Sequence, residues 1–253
     1  MISYLFDVDG TLTYPREKMR DAHVSSFLSW VTDKKVFIVA GSDRKKVLEQ
    51  LPASVLARCS GVFCCMANEL WSNADTFGSR HVYLIQKPTL VYRNDWKPPI
   101  ELIADLARTY LQSHYPRNMR ATNYIEERTG MLNFSIVGRT ASNEQRNHFS
   151  NWDKQEKERE RIVKDLSSKY SNLDFRIGGQ ISIDIQPKNA NKSQASKWVR
   201  ENCGPDMIFF GDKCDKNGND YDIVKDIEKH EKGKVFCVKS PTETLELLTG
   251  NKK

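Results

Sequence analysis

Two carboxylates stand two residues apart at the end of an apolar run, in Tyr4-Leu5-Phe6-Asp7-Val8-Asp9-Gly10-Thr11-Leu12-Thr13. Side chains alternate along a strand, so Asp7 and Asp9 leave such a strand on one side, at its C-terminal edge. Open α/β sheets bind ligands at that edge. A carboxylate placed there can act as a covalent nucleophile or as a ligand for a hard cation. The same spacing occurs in calcium loops, but those continue with alternating oxygen ligands, and here Leu12 and Tyr14 follow.

A carboxylate that attacks phosphorus needs positive charge to neutralise the phosphoryl oxygens and donors to hold the transferring group. Candidates occur where other apolar runs end. Ser42 follows the run 36–40 and can donate to a phosphate, and Asp212 follows 207–210. Lys192 lies where a central, differently patterned segment gives way to the last third of the chain. Asp220, in Gly218-Asn219-Asp220, is placed to orient metal-bound water. Singly, each has a plainer reading: Ser42 as a helix cap, Lys192 as a surface lysine, Asp212 as a turn residue. Their joint occurrence in this order favours a site.

The elements expected to hold these residues alternate. Residues 2–6 read as a strand, 18–31 carry apolar residues at helical intervals, and 36–40 read as a buried strand ending at Gly41-Ser42-Asp43. A helix over 44–51 follows, with Ser42 or Asp43 as its N-cap, and then a strand over 61–64. The same grammar returns in the strands 207–210 and 234–238. Alternation at both ends predicts one parallel-sheet core assembled from 1–85 and 187–253. Between them, helical spacing at 100–111, strands at 123–127 and 131–137, a charged helix over 153–170 and strands at 175–177 and 180–185 predict an α+β insert over 86–186.

Hydrophobic residues make up 39% and charged residues 28% of the 253 residues, as in a soluble globular protein. The formal charge of +6 suits an anionic partner, but the basic residues are dispersed, so nucleic acid is not called for. No run approaches membrane-spanning length and no signal-peptide pattern opens the chain, which gives a cytoplasmic protein as the expectation. The six cysteines show neither zinc-like spacing nor a small secreted framework.

With Gly10-Thr11 after it, the Asp7–Asp9 pair resembles the nucleophile motif of the haloacid dehalogenase (HAD) superfamily of phosphotransferases. In that superfamily the first Asp attacks phosphorus and the second is the general acid/base. Ser42, Lys192 and Asp212 match the remaining motifs in order. A narrower resemblance is to the eukaryotic phosphomannomutases. It is carried by Asp7 to Thr13 with Pro15-Arg16, by Gly41-Ser42-Asp43 with Lys46-Val47 and Glu49-Gln50-Leu51, and by Arg128-Thr129-Gly130-Met131-Leu132-Asn133. It continues through Gly138-Arg139, Arg146, Gly178-Gly179-Gln180-Ile181-Ser182-Ile183-Asp184 and Phe209-Phe210-Gly211-Asp212-Lys213.

The resemblance implies an α/β fold, a HAD-like Rossmannoid parallel-sheet core with an inserted α+β cap, dimeric through the cap. It implies interconversion of mannose 6-phosphate and mannose 1-phosphate, with Mg2+ as cofactor and a hexose 1,6-bisphosphate as activator. Asp7 and Asp212 would ligate the ion through carboxylates and Asp9 through its backbone carbonyl, with Asp220 assisting. Arg128, Arg139 and Arg146 would hold the non-transferring phosphate with Asn133 nearby, and Arg16, Ser182 and Asp184 would meet the substrate. Rigid guanidinium forks suit that task, since one phosphate must be gripped while the other reacts.

The chain departs from the family after the third core strand, where Cys64-Cys65-Met66-Ala67-Asn68-Glu69-Leu70 stands in place of Glu-Asn-Gly-Leu. It departs again at Asn189-Ala190-Asn191-Lys192, which replaces Gly-Trp-Asp-Lys. These departures keep two alternatives open: a sugar-phosphate phosphatase on the same scaffold, and a non-catalytic phosphosugar-binding paralogue.

Overall fold

A computed structural model describes residues 1–72, 89–216, 218–230 and 232–250. It divides into two compact units, one of Met1–Asn94, Ala190–Lys216 and Asp220–Lys253, and one centred on Asp95–Asn189. The first holds a seven-stranded sheet built from β1 (Ser3–Phe6), β2 (Lys35–Val39), β3 (Gly61–Cys64), β4 (Glu69–Ser72), β5 (Thr89–Arg93), β10 (Met207–Gly211) and β11 (Gly233–Cys237). Their order is β11-β10-β1-β2-β3-β4-β5. The first five in that order run parallel, while β4 and β5 are antiparallel additions.

From β1 the chain fills one side of the sheet with β2 and β3, then returns to fill the other with β10 and β11. The order reverses at β1, so the end of β1 is the crevice where such sheets take ligands. The parallel strands are apolar on both faces, as burial on two sides requires. On one face Leu5, Phe37, Phe63 and Phe209 pack against Val199, Ile223 and Ile227 of α7 (Ser193–Cys203) and α8 (Tyr221–Glu228). On the other, Phe6 stacks on Phe210 and meets Phe27 of α1 (Asp21–Trp30) edge-on.

The helix expected from residue 18 begins at Asp21, because Met19 N–H donates to the Gln50 carbonyl and holds the preceding segment extended. α2 (Arg44–Gln50), followed by the short α3 (Ala53–Leu56), is capped by Asp43, whose Oδ1 accepts from Lys46 N at 2.8 Å, which leaves Ser42 outside the cap. Residues 89–94 stay with the first unit rather than the insert, because β5 pairs with β4. The expected boundary at 85/86 lies outside the described residues. Residues 187–189 belong to the second unit, since Pro187 still pairs with Leu173.

The second unit is an antiparallel sheet ordered β6 (Ile125–Arg128), β7 (Met131–Phe134), β9 (Ser182–Pro187), β8 (Leu173–Gly178). Helices α4 (Ile100–Gln112), α5 (Asn143–Glu156) and α6 (Glu158–Lys169) bury Leu102, Leu106, Phe149 and Ile162 against Leu132, Phe134, Ile183 and Ile185. The expected single helix over 153–170 is two helices, broken where Lys157 turns left-handed at φ 56°. Two of the six cysteines, Cys214 and Cys237, form a disulfide, and the other four are free thiols. The bonded pair's separation of 23 residues gave no spacing signal. No helix among the described residues is long and apolar enough to cross a membrane.

Candidate active site

Asp7 directly follows β1 and keeps the strand's pairing, its N–H donating to the Phe210 carbonyl at 2.9 Å. The next residues turn tightly, with Leu12 and Thr13 N–H both donating to the Val8 carbonyl at 2.9 Å. Gly10 sits in this turn at φ +86°, and a Cβ there would lie 2.4 Å from Asp212 Oδ2. Only glycine therefore lets the turn close against the carboxylate at the end of β10. Gly211 does the same for Asp220, whose Oδ2 would stand 2.6 Å from an added Cβ.

The oxygens of Asp7, Asp212 and Asp220 lie within 4.8 Å of one another. Lys192, at the start of α7 and fully buried, donates at 2.6 Å to Asp7 Oδ1 and at 2.6 Å to Asp220 Oδ1. Asp220 Oδ2 accepts from Lys213 N at 3.0 Å, so both of its oxygens are engaged, and it orients Lys192 and the Asp212 loop. Asp212 Oδ2 meets Lys213 Nζ at 3.0 Å, while its buried Oδ1 has no hydrogen-bond partner.

Burial raises the Asp7 carboxyl well above the ordinary range; Lys192 opposes this, and the nearby Asp220 and Asp212 reinforce it. Asp212 is shifted upward as well, first by burial. In Lys192 the two carboxylates outweigh the burial that disfavours its charge, so it stays an ammonium ion. Asp7 and Asp220 thus share the buried Lys192 ammonium, while Asp212 meets only the exposed Lys213 and keeps one orphaned oxygen. That donor set, all oxygen and short of positive charge, fits a hard divalent cation.

The carboxylate of Asp9 lies outside this cluster. Its Oδ1 accepts from Arg16 N at 2.8 Å and from Gln50 Nε2 at 2.7 Å. Both bonds fall on one oxygen, Oδ1. Gln50 is buried at the end of α2 and also donates to Thr13 Oγ1 at 3.2 Å. Sequence reasoning quoted Gln50 only as part of a motif, because a glutamine ending a helix carries no signal until the helix is docked. Ser42 lies in the loop after β2, and its carbonyl accepts from Cys65 N at 2.8 Å. Arg16 is exposed and enters the site through its backbone at φ 66°.

The remaining expected residues lie in the second unit and, except for Arg146, which belongs to α5, on the sheet face opposite its helices. There Asn133 and Asp184 are direct cross-strand partners, and Asn133 Nδ2 donates to Asp184 Oδ1 at 2.6 Å. A Cβ on Gly178 would lie 2.3 Å from Asp184 Oδ2, so that residue too gives way to a carboxylate. Arg139 Nη1 donates to Ser182 Oγ at 2.7 Å. Arg146 is buried and donates to the carbonyls of Ala141 and Arg139, each at 2.9 Å. Those bonds make it a support for Arg139. One further residue belongs to the group: Glu126, whose carboxylate receives both Arg128 and Arg139.

The family model for eukaryotic phosphomannomutase matches residues 24–251. The chain belongs to that family. Among phosphomannomutases, it is 35% identical over 243 residues to the Solanum lycopersicum protein, covering 95% of this chain and 90% of that one. It is 34% identical over 248 residues to the Saccharomyces cerevisiae protein, covering 97% and 92%. Among solved structures, SMU.1108c from Streptococcus mutans UA159 superposes with a TM-score of 0.64 at 13% identity, covering 98% of each chain. A haloacid dehalogenase-like hydrolase from Bacteroides thetaiotaomicron superposes at 0.59 with 11% identity, covering 99% of each. At such identities these structures speak for the HAD-like fold alone.

Proposed function

We propose that the protein is a phosphomannomutase that interconverts mannose 1-phosphate and mannose 6-phosphate through an aspartyl phosphate on Asp7. The observation that carries this reading is the Asp7–Lys192–Asp220 cluster, with Asp212 beside it, in a chain matched by the family model over 24–251. Asp7, Asp212 and the backbone of Asp9 are the groups we assign to magnesium, which when bound neutralises phosphoryl oxygens.

A hexose 1,6-bisphosphate first charges Asp7: the carboxylate attacks one phosphorus, that phosphorus–oxygen bond to the sugar breaks, Asp9 protonates the departing sugar oxygen, and a hexose monophosphate leaves. The phosphoryl group then passes from Asp7 to the 6-hydroxyl of mannose 1-phosphate: the oxygen–phosphorus bond to Asp7 breaks, a bond to the sugar oxygen forms, and Asp9 takes the hydroxyl proton. After the bisphosphate has turned round, Asp7 attacks the 1-phosphate and Asp9 returns the proton to the departing sugar oxygen, releasing mannose 6-phosphate. Ser42 donates to the transferring group, Lys192 holds Asp7 in place, and Arg128 and Arg139 grip the phosphate that is not reacting. The mannose 1-phosphate formed in the reverse direction supplies GDP-mannose synthesis. The family resemblance extends this reading to a cytoplasmic enzyme that pairs through its cap.

Incubation with mannose 1-phosphate and catalytic glucose 1,6-bisphosphate tests it. The expected product is mannose 6-phosphate, absent when Asp7 is replaced by Asn. Release of inorganic phosphate without mannose 6-phosphate would make the enzyme a phosphatase, and no turnover would leave a phosphosugar-binding protein.

A further inference from the structure

Strand alternation turns Ile125 toward the helical core of the second unit and sends Glu126 and Arg128 to the other face. Arg139 reaches the same face from a turn at Gly138, where φ is +90° and a Cβ would strike the carbonyl oxygens of Ala121 and Thr122 at 2.6 Å. Its position is fixed from behind, by its own N–H to the Asn123 carbonyl and by Arg146 on its carbonyl. The two guanidiniums would repel, yet one carboxylate joins them. Arg128 Nε donates to Glu126 Oε1 at 2.7 Å, and Arg139 Nε donates to Glu126 Oε2 at 2.6 Å. Burial disfavours the charge on Glu126, but the two arginines override it and hold its carboxyl down at about 2. It is therefore anionic at any working pH.

We propose that Glu126 is a positioning and specificity residue that limits how tightly the arginine pair holds phosphate, so that the sugar bisphosphate can be let go between the two half-reactions. This deepens the mutase reading and rests on it. A phosphatase gains from a tight seat, whereas a mutase must release the same phosphate at every turnover so that it can become the reacting one. Binding that is equal in ground and transition states adds nothing to turnover, and here it would slow the reorientation. Glu126 acts in two ways. It cancels one of the two positive charges of the pair, and it takes both Nε–H donors away from phosphate.

Glu126→Gln keeps the size and removes the charge, while Glu126→Asp keeps the charge. For Glu126→Gln the expected result is about tenfold tighter binding of inorganic phosphate, measured calorimetrically with magnesium chelated. KM for mannose 1-phosphate and kcat should both fall severalfold. Glu126→Asp should stay near wild type in phosphate affinity. Weaker or unchanged phosphate binding in Glu126→Gln overturns the proposal, because a carboxylate that merely braces the arginines would raise KM when removed. Equal changes in both variants overturn it too, since charge would then not be the cause. The phosphate titration needs no turnover, so wild-type protein inactive on mannose 1-phosphate would defeat the mutase reading without deciding the titration.

Discussion

Lys192 makes two ion pairs at 2.6 Å with none of its side chain exposed, between Asp7, the proposed phosphoryl nucleophile, and Asp220, which orients the loop. A buried pair of this kind adds little net stability compared with an apolar replacement of the whole group, but removing one partner leaves the others stranded. Lys192→Met would bury the Asp7 and Asp220 carboxylates without their shared cation. We expect a loss of about 3–5 kcal/mol in urea unfolding together with loss of turnover. A variant as stable as wild type would mean that the carboxylates are neutral and that Lys192 has no part in keeping Asp7 ionised. Gln50 and Glu126 act at the same scale but by contact: each places another group's charge.

The elements that carry these residues were legible in the sequence to different degrees, and for physical reasons. β1, β2, β3, β10 and β11 are apolar runs ended by turn residues, so their C-terminal edges, and with them Asp7, Ser42 and Asp212, could be read directly. β4 and β5 could not: they are short antiparallel additions, and β5 is largely exposed, with no run to betray it. The break at Lys157 was hidden because charged residues on a solvated helix face look alike on either side of it. Glu126 was missed for a similar reason, since a glutamate in a strand shows its partners only when the turn at Gly138 brings Arg139 to the same face.

The disulfide between Cys214 and Cys237 belongs to this scale also. It ties the loop between Asp212 and Asp220 to the end of β11, next to the pairing of Gly211 with Cys237. Closing 23 residues should contribute about 3 kcal/mol by limiting the unfolded chain. Reduction by a dithiol, or Cys237→Ser, should lower the midpoint of thermal unfolding accordingly and raise the magnesium concentration needed for half-maximal activity. An unchanged melting temperature, with two more thiols titrating in the reduced protein, would show that the bond does not hold the loop.

At the scale of the whole molecule, the chain passes from one unit to the other after Asn94 and back again before Ala190, and one side chain in the first unit holds both of these residues. Asn68 accepts from Asn94 Nδ2 at 2.8 Å on its side-chain oxygen and from Asn94 N–H at 2.8 Å on its carbonyl. Its Nδ2 donates to the Ala190 carbonyl at 3.3 Å and to the Cys65 carbonyl at 2.7 Å. Cys65 N–H in turn reaches the carbonyl of Ser42. Three consecutive non-glycine residues, Cys65, Met66 and Ala67, adopt left-handed backbone at φ 51°, 59° and 64° to present Asn68 in this way. Such a conformation costs roughly 1 kcal/mol or more per residue, so the surrounding bonds must over-determine it. The buried Asn68 is therefore the common anchor of both connections and of the loop that holds Ser42.

On the proposed mechanism the aspartyl phosphate must outlast the turning of the bisphosphate, and a loosened Ser42 loop would leave it more open to water. Asn68→Ala should lower stability by about 1–3 kcal/mol for the unsatisfied groups it leaves. It should also raise severalfold the inorganic phosphate released per mannose 6-phosphate formed. The ratio is the decisive readout, because general destabilisation alone would reduce both products in proportion. A lower melting temperature with an unchanged ratio would confine Asn68 to packing.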